Sequence, residues 1–157
     1  MNFKKGFTLI EIMVAITIIG VVFGVIITSA GAIQRSSRDT KRKSDLSNIQ
    51  GALEQYHSDQ GFYPPSPLPA PPNPLKSLDN QKTYLQSIPA DPQTSLPYKY
   101  SPLTNNGLDS CDNSVVDTEC ANYCLYANLE NVIGQSTNNF CNPLGYPTGY
   151  NYYVTQP

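Results

Sequence analysis

Apolar and polar residues follow two different patterns along this chain, and both patterns lie within one predicted helix. The 27 residues from Phe7 to Ile33 include one charged side chain, Glu11, so the run from Ile12 to Ile33 carries no charge. A helix rises about 1.5 Å per residue, so this run spans roughly 40 Å and can cross a hydrocarbon core of about 30 Å with some tilt. The pattern predicts a transmembrane helix that can also serve as the core of a filament.

Beyond the apolar run, the apolar residues narrow to a single stripe at helical spacing. The stripe consists of Leu46, Ile49, Leu53 and Tyr56. No proline precedes Pro64, so one helix is expected from about Thr8 to Ser58, with Gly61 as its left-handed cap. The second half of this helix is therefore amphipathic, and its stripe must pack against the chain that follows.

The residues after the helix predict a small head built of loops and short strands. Seven of the eleven residues from Pro64 to Pro74 are proline, a composition that favours an extended loop or spacer. PxxP matches are nearly unavoidable in such a run and indicate no specific ligand. The segment Leu75–Leu85 is expected to hold a helical turn. The Asp-Pro step at Asp91 is a turn signal.

Alternation and tyrosine content predict three strands, at Tyr98–Ser101, Tyr123–Glu130 and Tyr150–Thr155. In the second strand, alternate apolar residues share one face and are expected to cover the helix stripe. These residues are Leu125, Ala127 and Leu129. The predicted fold class is α+β: a long N-terminal helix, a small antiparallel sheet, and loops braced by disulfides.

Charge divides the chain into a basic start and an acidic remainder. Residues 1–44 carry seven Lys/Arg and two acids, whereas residues 45–157 carry three Lys and ten acids. An acidic head is a poor nucleic-acid binder, so no direct nucleic-acid partner is expected. The charged residues form no nucleophile motif, phosphate loop or paired-acid signature. We therefore expect a protein that is not an enzyme.

Four cysteines occur between positions 111 and 141, which fits an oxidising compartment. They are Cys111, Cys120, Cys124 and Cys141. Zinc is disfavoured because their spacing is not CxxC and the single histidine, His57, is remote in sequence. Two structural disulfides are expected, with three pairings open. We favour Cys111–Cys120 with Cys124–Cys141, because this pairing needs no crossing of closed loops.

The residues at the very start carry a more specific signal. The basic leader ends at Gly6 immediately before the apolar run, and an acid, Glu11, lies five residues into that run. A carboxylate in hydrocarbon costs about 2.5–3.5 kcal/mol and usually marks function. Gly20, Gly24 and Thr28 recur every four residues and form a groove for close helix packing.

The motif Lys5-Gly6-Phe7-Thr8-Leu9-Ile10-Glu11, followed by the apolar helix, resembles the class III leader of type IV pilins and type II secretion pseudopilins. The resemblance implies that a prepilin peptidase cuts after Gly6 and methylates the new amino terminus at Phe7. It also implies that Glu11 pairs with the Phe7 amine of a neighbouring subunit during assembly. The expected domains are 1–6 (leader), 7–34 (transmembrane and assembly helix), 35–61 (amphipathic continuation) and 62–157 (extracytoplasmic head).

The same resemblance raises the question of calcium. Major pseudopilins bind calcium in a loop comparable to Asn105–Asn122, and hard oxygen ligands are dense here. The candidate ligands are Asp109, Asp112 and Asp117. Their pattern departs from that family, and the cysteines provide another staple. A solvated loop braced by disulfides is therefore the favoured interpretation, and no cofactor is expected.

Two features oppose the interpretation of the N-terminus as a prepilin leader followed by an anchor with an extracytoplasmic head. Ala30-Gly31-Ala32 has the form of an ordinary signal-peptidase site, which would release a soluble domain from Ile33 onwards, although ordinary h-regions are shorter and would not carry Glu11. The basic residues after the apolar run also outnumber those before it, so the positive-inside rule would place the head in the cytoplasm. The cysteines and the leader motif favour the opposite orientation.

The leading hypothesis is a structural subunit of a type IV pilus-like filament. The alternative is a type II secretion pseudopilin, and hypotheses from other classes are a monomeric membrane-anchored binding module and a secreted enzyme. The long proline segment and the cysteines depart from the usual major pseudopilin, which favours the pilus. The expected partners are other pilin subunits, the prepilin peptidase, the membrane, and a pilus or secretion assembly platform. The head would lie outside the cytoplasm on a single-pass inner-membrane anchor, and later in an extracellular filament.

Overall fold

The computed structural model describes residues 6–93, 96–105, 111–113, 119–131, 141 and 147–156, without the side chains of residues 25–30. Its first element is helix α1, Leu9–Gln60. Gly61 follows with a φ of 84°, and its N–H donates to the His57 carbonyl at 2.8 Å. This left-handed cap satisfies an orphan carbonyl of the last turn. The prediction of one long helix ended by Gly61 is confirmed.

The chain divides into two compact units, Met1–Ser37 and Arg38–Pro157. In the first unit, the large apolar side chains from Phe7 to Phe23 that the structure describes are exposed. Across the described residues, no helix has both the length and the apolar character that a membrane crossing requires.

In the second unit, the first strands after α1 form a two-stranded antiparallel hairpin. Strand β1 is Leu75–Lys76 and strand β2 is Thr83–Leu85. The prediction of a helical turn over Leu75–Leu85 is therefore wrong. The turn between the strands places Asn80 at a φ of 59°, a conformation that asparagine tolerates, and the Asn80 N–H donates to the Ser77 carbonyl.

A three-stranded antiparallel sheet follows, with strand order β3-β4-β5. The strands are β3, Lys99–Leu103, β4, Asn122–Ala127, and β5, Tyr152–Thr155. All three overlap the predicted strands, although β4 ends three residues before the predicted end at Glu130. Pro102 lies in the edge strand β3, where a residue without an N–H is tolerated.

The stripe of α1 and one face of this sheet form the main core. All four stripe residues are buried, and they pack in the same cluster as Leu125, Ala127 and Tyr123. The Tyr100–Leu125 and Leu125–Val154 pairs hold Leu125 at the centre of the sheet. The expected cover for the helix stripe is confirmed for Leu125 and Ala127. Leu129 is also buried, but it lies beyond the end of β4.

The opposite face of β4 is buried as well, which simple alternation did not predict. Cys124 and Tyr126 on that face pack with Cys141 and Tyr153 in a second cluster. The Tyr126 hydroxyl donates to the Cys141 carbonyl at 2.9 Å. A disulfide and tyrosines thus cover the face that a two-layer fold would leave to solvent.

Both disulfides have the favoured pairing, Cys111–Cys120 and Cys124–Cys141. The first bridge lies beside the end of α1, because the Tyr63 N–H donates to the Cys120 carbonyl at 2.7 Å. The proline segment forms neither helix nor strand; it bends and contains a turn in which the Asn73 N–H donates to the Ala70 carbonyl.

Candidate functional site: the start of the helix and a buried ion cluster

The first turn of α1 holds the acid that the sequence analysis singled out. The Glu11 N–H donates to Thr8 Oγ1 at 3.3 Å, and the Thr8 N–H donates to Glu11 Oε2 at 3.4 Å. This reciprocal pair is a capping box, which satisfies two orphan N–H groups of a helix start. Its signature, Thr-x-x-Glu, stands in the sequence and was missed. In this structure the Glu11 carboxylate therefore caps its own helix.

The other predicted residues of this region are accessible. Gly6 and Phe7 precede the helix and are exposed. Around Gly20 and Gly24 a Cβ would meet no atom within 4 Å, so both positions present open backbone surface. The side chain of Thr28 lies outside the described residues. At Gly20 and Gly24, the structure thus shows no contact with another part of the described chain.

In the second unit, the helix holds a buried cationic residue that the sequence analysis treated only as part of a basic flank. Arg42 is 3% exposed. Its Nε and Nη2 donate to the two oxygens of Asp91 at 2.8 and 3.1 Å. Its Nη1 donates to Asp39 Oδ1 at 2.9 Å and to Glu130 Oε1 at 3.0 Å. One guanidinium therefore joins α1 to the loop after β2 and to the chain after β4.

The carboxylates of this ion cluster bind further donors. Asp39 accepts the N–H groups of Glu130 and Asn131, each at 2.8 Å. Glu130 also accepts two hydrogen bonds from Arg38, both at 2.6 Å. The bidentate geometry is the strong form of an arginine–carboxylate pair. The ion cluster, Arg38, Asp39, Arg42, Asp91 and Glu130, thus fixes the chain that leaves β4 onto the helix.

The electrostatics follow from this geometry. The hydrogen bond from Arg38, reinforced by Arg42, lowers the pKa of Glu130 to about 2. Burial acts to raise the pKa of Asp39, but the N–H donors of Glu130 and Asn131 and the guanidinium of Arg42 lower it overall. The hydrogen bonds that the Arg42 guanidinium donates to Asp91 raise the pKa of Arg42. Asp39, Arg42 and Glu130 are therefore ionised at neutral pH.

The ion cluster also bears on the orientation problem posed by the basic flank. Arg38 and Arg42 are paired with acids of the head, and Lys41 pairs with Asp45 at 3.2 Å. Five cations follow the apolar run: Arg35, Arg38, Lys41, Arg42 and Lys43. Three of them are therefore paired with carboxylates in the folded head. Sequence reasoning missed this because Asp91 and Glu130 are distant in the chain. The available signal was an Asp and an Arg three residues apart on one predicted helix.

Comparison with known proteins adds to these observations. Residues 1–27 match the prokaryotic N-terminal methylation motif. Type II secretion system core protein G of Pseudomonas aeruginosa is 32% identical over 114 residues, which cover 68% of this chain and 80% of that protein. Its namesake from Escherichia coli is 34% identical over 96 residues, covering 57% of this chain and 66% of that protein. This chain belongs to the type II secretion core protein G family. No solved structure gives a significant match.

The leader motif predicted a member of the pilin and pseudopilin family, and the match to core protein G confirms this prediction. The methylation motif spans Gly6, Phe7, Glu11, Gly20 and Gly24, and it ends one residue before Thr28. The similarity to core protein G extends well beyond this motif, since 114 aligned residues cannot fit within the first 60. Helix and head are therefore both part of the relationship.

The calcium candidates of this core protein G relative are only partly described. Asp109 and Asp117 lie outside the described residues, and Asp112 is exposed. Within the described part of the chain, no three carboxylate, histidine or cysteine side chains are grouped as metal ligands. The described part of the acidic loop is held by hydrogen bonds of Asn113. Its Nδ2 donates to the Tyr63 carbonyl, and its Oδ1 accepts the Cys120 N–H.

Proposed function

We propose that this chain is a pseudopilin, a structural subunit of a type II secretion pseudopilus. The observation that carries the proposal is the similarity to core protein G of Pseudomonas aeruginosa across most of both chains, together with the methylation motif at the start. This favours the alternative of the sequence analysis over its leading hypothesis, a pilus subunit. The proline segment and the disulfides had favoured the pilus. The proline segment is a loop and the disulfides join residues of loops and of strand β4, so neither feature interrupts the helix or the sheet.

Membrane insertion would precede assembly. Residues 7–34 form the proposed anchor, supported by the charge-free run from Ile12 to Ile33 and by the exposure of its described apolar side chains. Residues 35–61 would continue the helix and residues 62–157 would form a head outside the cytoplasm, where disulfides persist. The partners would be other pseudopilins, the assembly platform of the secretion system and the prepilin peptidase.

Processing would create the group that Glu11 needs. Cleavage after Gly6 converts the Phe7 nitrogen into an amine with an ordinary pKa of about 7.7–8.0, which methylation leaves able to carry charge. In a polymer, the amine of an incoming subunit would pair with Glu11 of a subunit already in place. This pairing would neutralise two charges in an apolar core and set the axial position of the new subunit.

The capping box sharpens the test of this role. Glu11→Gln keeps a side-chain acceptor for the Thr8 N–H but removes the charge, since capping boxes accept either residue. Breaking a buried ion pair costs about 3–5 kcal/mol, because one charge stays uncompensated. We therefore expect Glu11→Gln to be inserted and cleaved normally, and to lose assembly and secretion as completely as Glu11→Ala.

Thr8→Ala is the matched control. It removes the hydroxyl acceptor of the capping box at a cost of about 1 kcal/mol and leaves the Glu11 charge in place. Assembly should persist in this variant. Cleavage and methylation are measured by mass spectrometry of the mature chain, which should begin at methylated Phe7. Normal secretion by correctly processed Glu11→Gln subunits would refute the charge-pairing role, and a terminus at Met1 or Ile33 would refute the processing.

A further inference from the structure

The head contains an apolar cavity whose wall includes residues of the main core and one member of the ion cluster, Asp91. Its volume is about 620 Å³, and it lies between the proline segment and the start of β3. Representative lining residues are Pro67, Leu68, Ile88, Tyr98, Tyr100 and Leu125. The tyrosine hydroxyls are already committed: Tyr98 donates to Asp45 and Tyr100 donates to the Pro64 carbonyl. The cavity surface that a partner can contact is therefore mainly apolar.

The same head presents one large apolar side chain to solvent. Among the described residues after Ile33, Leu78 is the exposed large hydrophobic, at 65%. It lies at the tip of the β1–β2 hairpin, in a turn held by three contacts: Asn80 N–H to the Ser77 carbonyl, Ser77 Oγ to Asp79, and the Gln81 N–H to Asp79 Oδ1 at 3.1 Å. A single exposed leucine is ordinary. A leucine held at the end of a braced turn is already ordered for insertion, so little side-chain or backbone freedom is lost on binding.

The tip and the cavity are complementary in charge as well as in polarity. Asp79 follows Leu78 on the exposed turn, and Lys99 lines the cavity and is exposed. Asp91 also lines the cavity, but its carboxylate is paired with Arg42, which leaves Lys99 as the charge available to a partner. None of the hairpin-tip residues, 77–80, lines the cavity of its own chain. The two surfaces are therefore different patches of one molecule. A contact between such patches is head-to-tail, and repeated head-to-tail contacts generate an open helical filament when the rotation does not close a ring.

We propose that Leu78 of one subunit inserts into the cavity beside Lys99 of a second copy of this chain. Asp79 of the first subunit then faces Lys99 of the second. The contact rests on the proposed function, because it adds a contact between the head domains of neighbouring subunits to a filament whose helices already assemble. It supplies what the helix core lacks, a feature of the head that selects the neighbouring head.

The test places a photo-crosslinking amino acid, benzoylphenylalanine, at Leu78 of the full-length chain in cells that assemble it. Mass spectrometry identifies the crosslinked peptides. We expect a covalent dimer of this chain joined to peptides from residues 66–71 or 88–100. A crosslink to another protein, to a different part of the head, or to no partner in cells that form filaments overturns the proposal.

Charge variants supply the independent measurement. Lys99→Glu places a negative charge opposite Asp79, and the repulsion between the two carboxylates should reduce the yield of crosslinked dimer about tenfold. Adding Asp79→Asn should restore most of it, because the amide oxygen still accepts the hydrogen bonds of the turn while the repulsion is gone. Gln86→Glu is an exposed change near the end of the same hairpin and should leave the yield unaltered. An equal yield in Lys99→Glu and wild type contradicts the proposal.

The outcomes separate this contact from the proposed function. If cells that lack the chain still secrete normally, but cells that make it show the crosslink to the cavity, the contact stands and the secretion role fails. If secretion requires the chain and Glu11, but the crosslink does not map to the cavity, the secretion role stands and the contact fails.

Discussion

Replacing Arg42 by methionine tests how the head is fastened to the helix. Methionine keeps a long apolar side chain and removes the guanidinium, which makes five hydrogen bonds to Asp39, Asp91, Glu130 and Gln93. The loss would be overestimated by summing those bonds, because hydrogen bonds in one network are not additive. The relevant quantity is the charge that is left without a partner.

The structure shows which carboxylate that is. Asp39 keeps two backbone N–H donors and Glu130 keeps Arg38. Asp91, with a side chain only 4% exposed, keeps the Gln93 N–H at 2.7 Å and loses both of its guanidinium contacts. One buried charge is therefore left largely uncompensated, which costs about 3–5 kcal/mol. We expect the free energy of unfolding of Arg42→Met to fall by about that amount.

The matched control is Lys41→Met, one residue earlier on the same helix. Lys41 is 55% exposed, and it pairs with Asp45, which also accepts a hydrogen bond from Tyr98 at 2.8 Å. The Asp45 side chain is only 8% exposed, but it keeps the Tyr98 hydroxyl, and Lys41 lies largely in water. We therefore expect Lys41→Met to lose only about 1 kcal/mol, clearly less than Arg42→Met.

The assay is urea unfolding of the full-length chain in detergent with both disulfides intact. Near-ultraviolet circular dichroism of its eleven tyrosines reports the head, and the dependence on urea should keep the same slope. A second variant, Arg42→Met with Asp91→Leu, removes both charges and should recover much of the lost stability, because apolar residues can replace a buried pair. An Arg42→Met chain as stable as Lys41→Met would refute the reasoning.

Two further predictions follow from the same head. The folded pKa of Glu130 is about 2, below its ordinary value of 4.5, so its contribution to the free energy of unfolding is complete above pH 4.5 and is lost as pH falls towards 2. Glu130→Gln should therefore flatten the dependence of stability on pH in this range, measured by urea unfolding between pH 2 and 6. Replacing Cys124 and Cys141 together by alanine opens a loop with a sequence separation of 17 and should lower the free energy of unfolding by about 3 kcal/mol on the loop-entropy view, whereas a loss below 1 kcal/mol would contradict it.

Local patterns in the sequence determined the long helix and its cap. The absence of proline before Pro64, the stripe at helical spacing and Gly61 each act within a few residues of the structure they specify. The same holds for the leader motif, which the comparison with known families matched over residues 1–27. The favoured disulfide pairing was also confirmed, because joining near neighbours in sequence avoids crossed loops.

The hairpin shows where local pattern reading failed. The segment Leu75–Leu85 is long enough to hold a helical turn, but the side chains of Ser77 and Asp79 bind nearby backbone groups. Asn80 between them and β2 has a left-handed φ. Such residues compete with helical hydrogen bonds and favour turns. Attention to the turn chemistry, instead of the segment length, would have predicted two short strands.

Tertiary structure alone decided the ion cluster and the cavity. The basic flank is a uniform run of charge in the sequence, yet folding buries Arg42 among three carboxylates, leaves Lys41 largely exposed, and pairs Arg38 with Glu130, 92 residues away. The cavity likewise combines the proline segment, the loop after β2 and strand β3. Periodicity reports which face of an element is apolar; it contains no information about which distant loop that face or that charge will meet. That choice is made by the packing of the whole head.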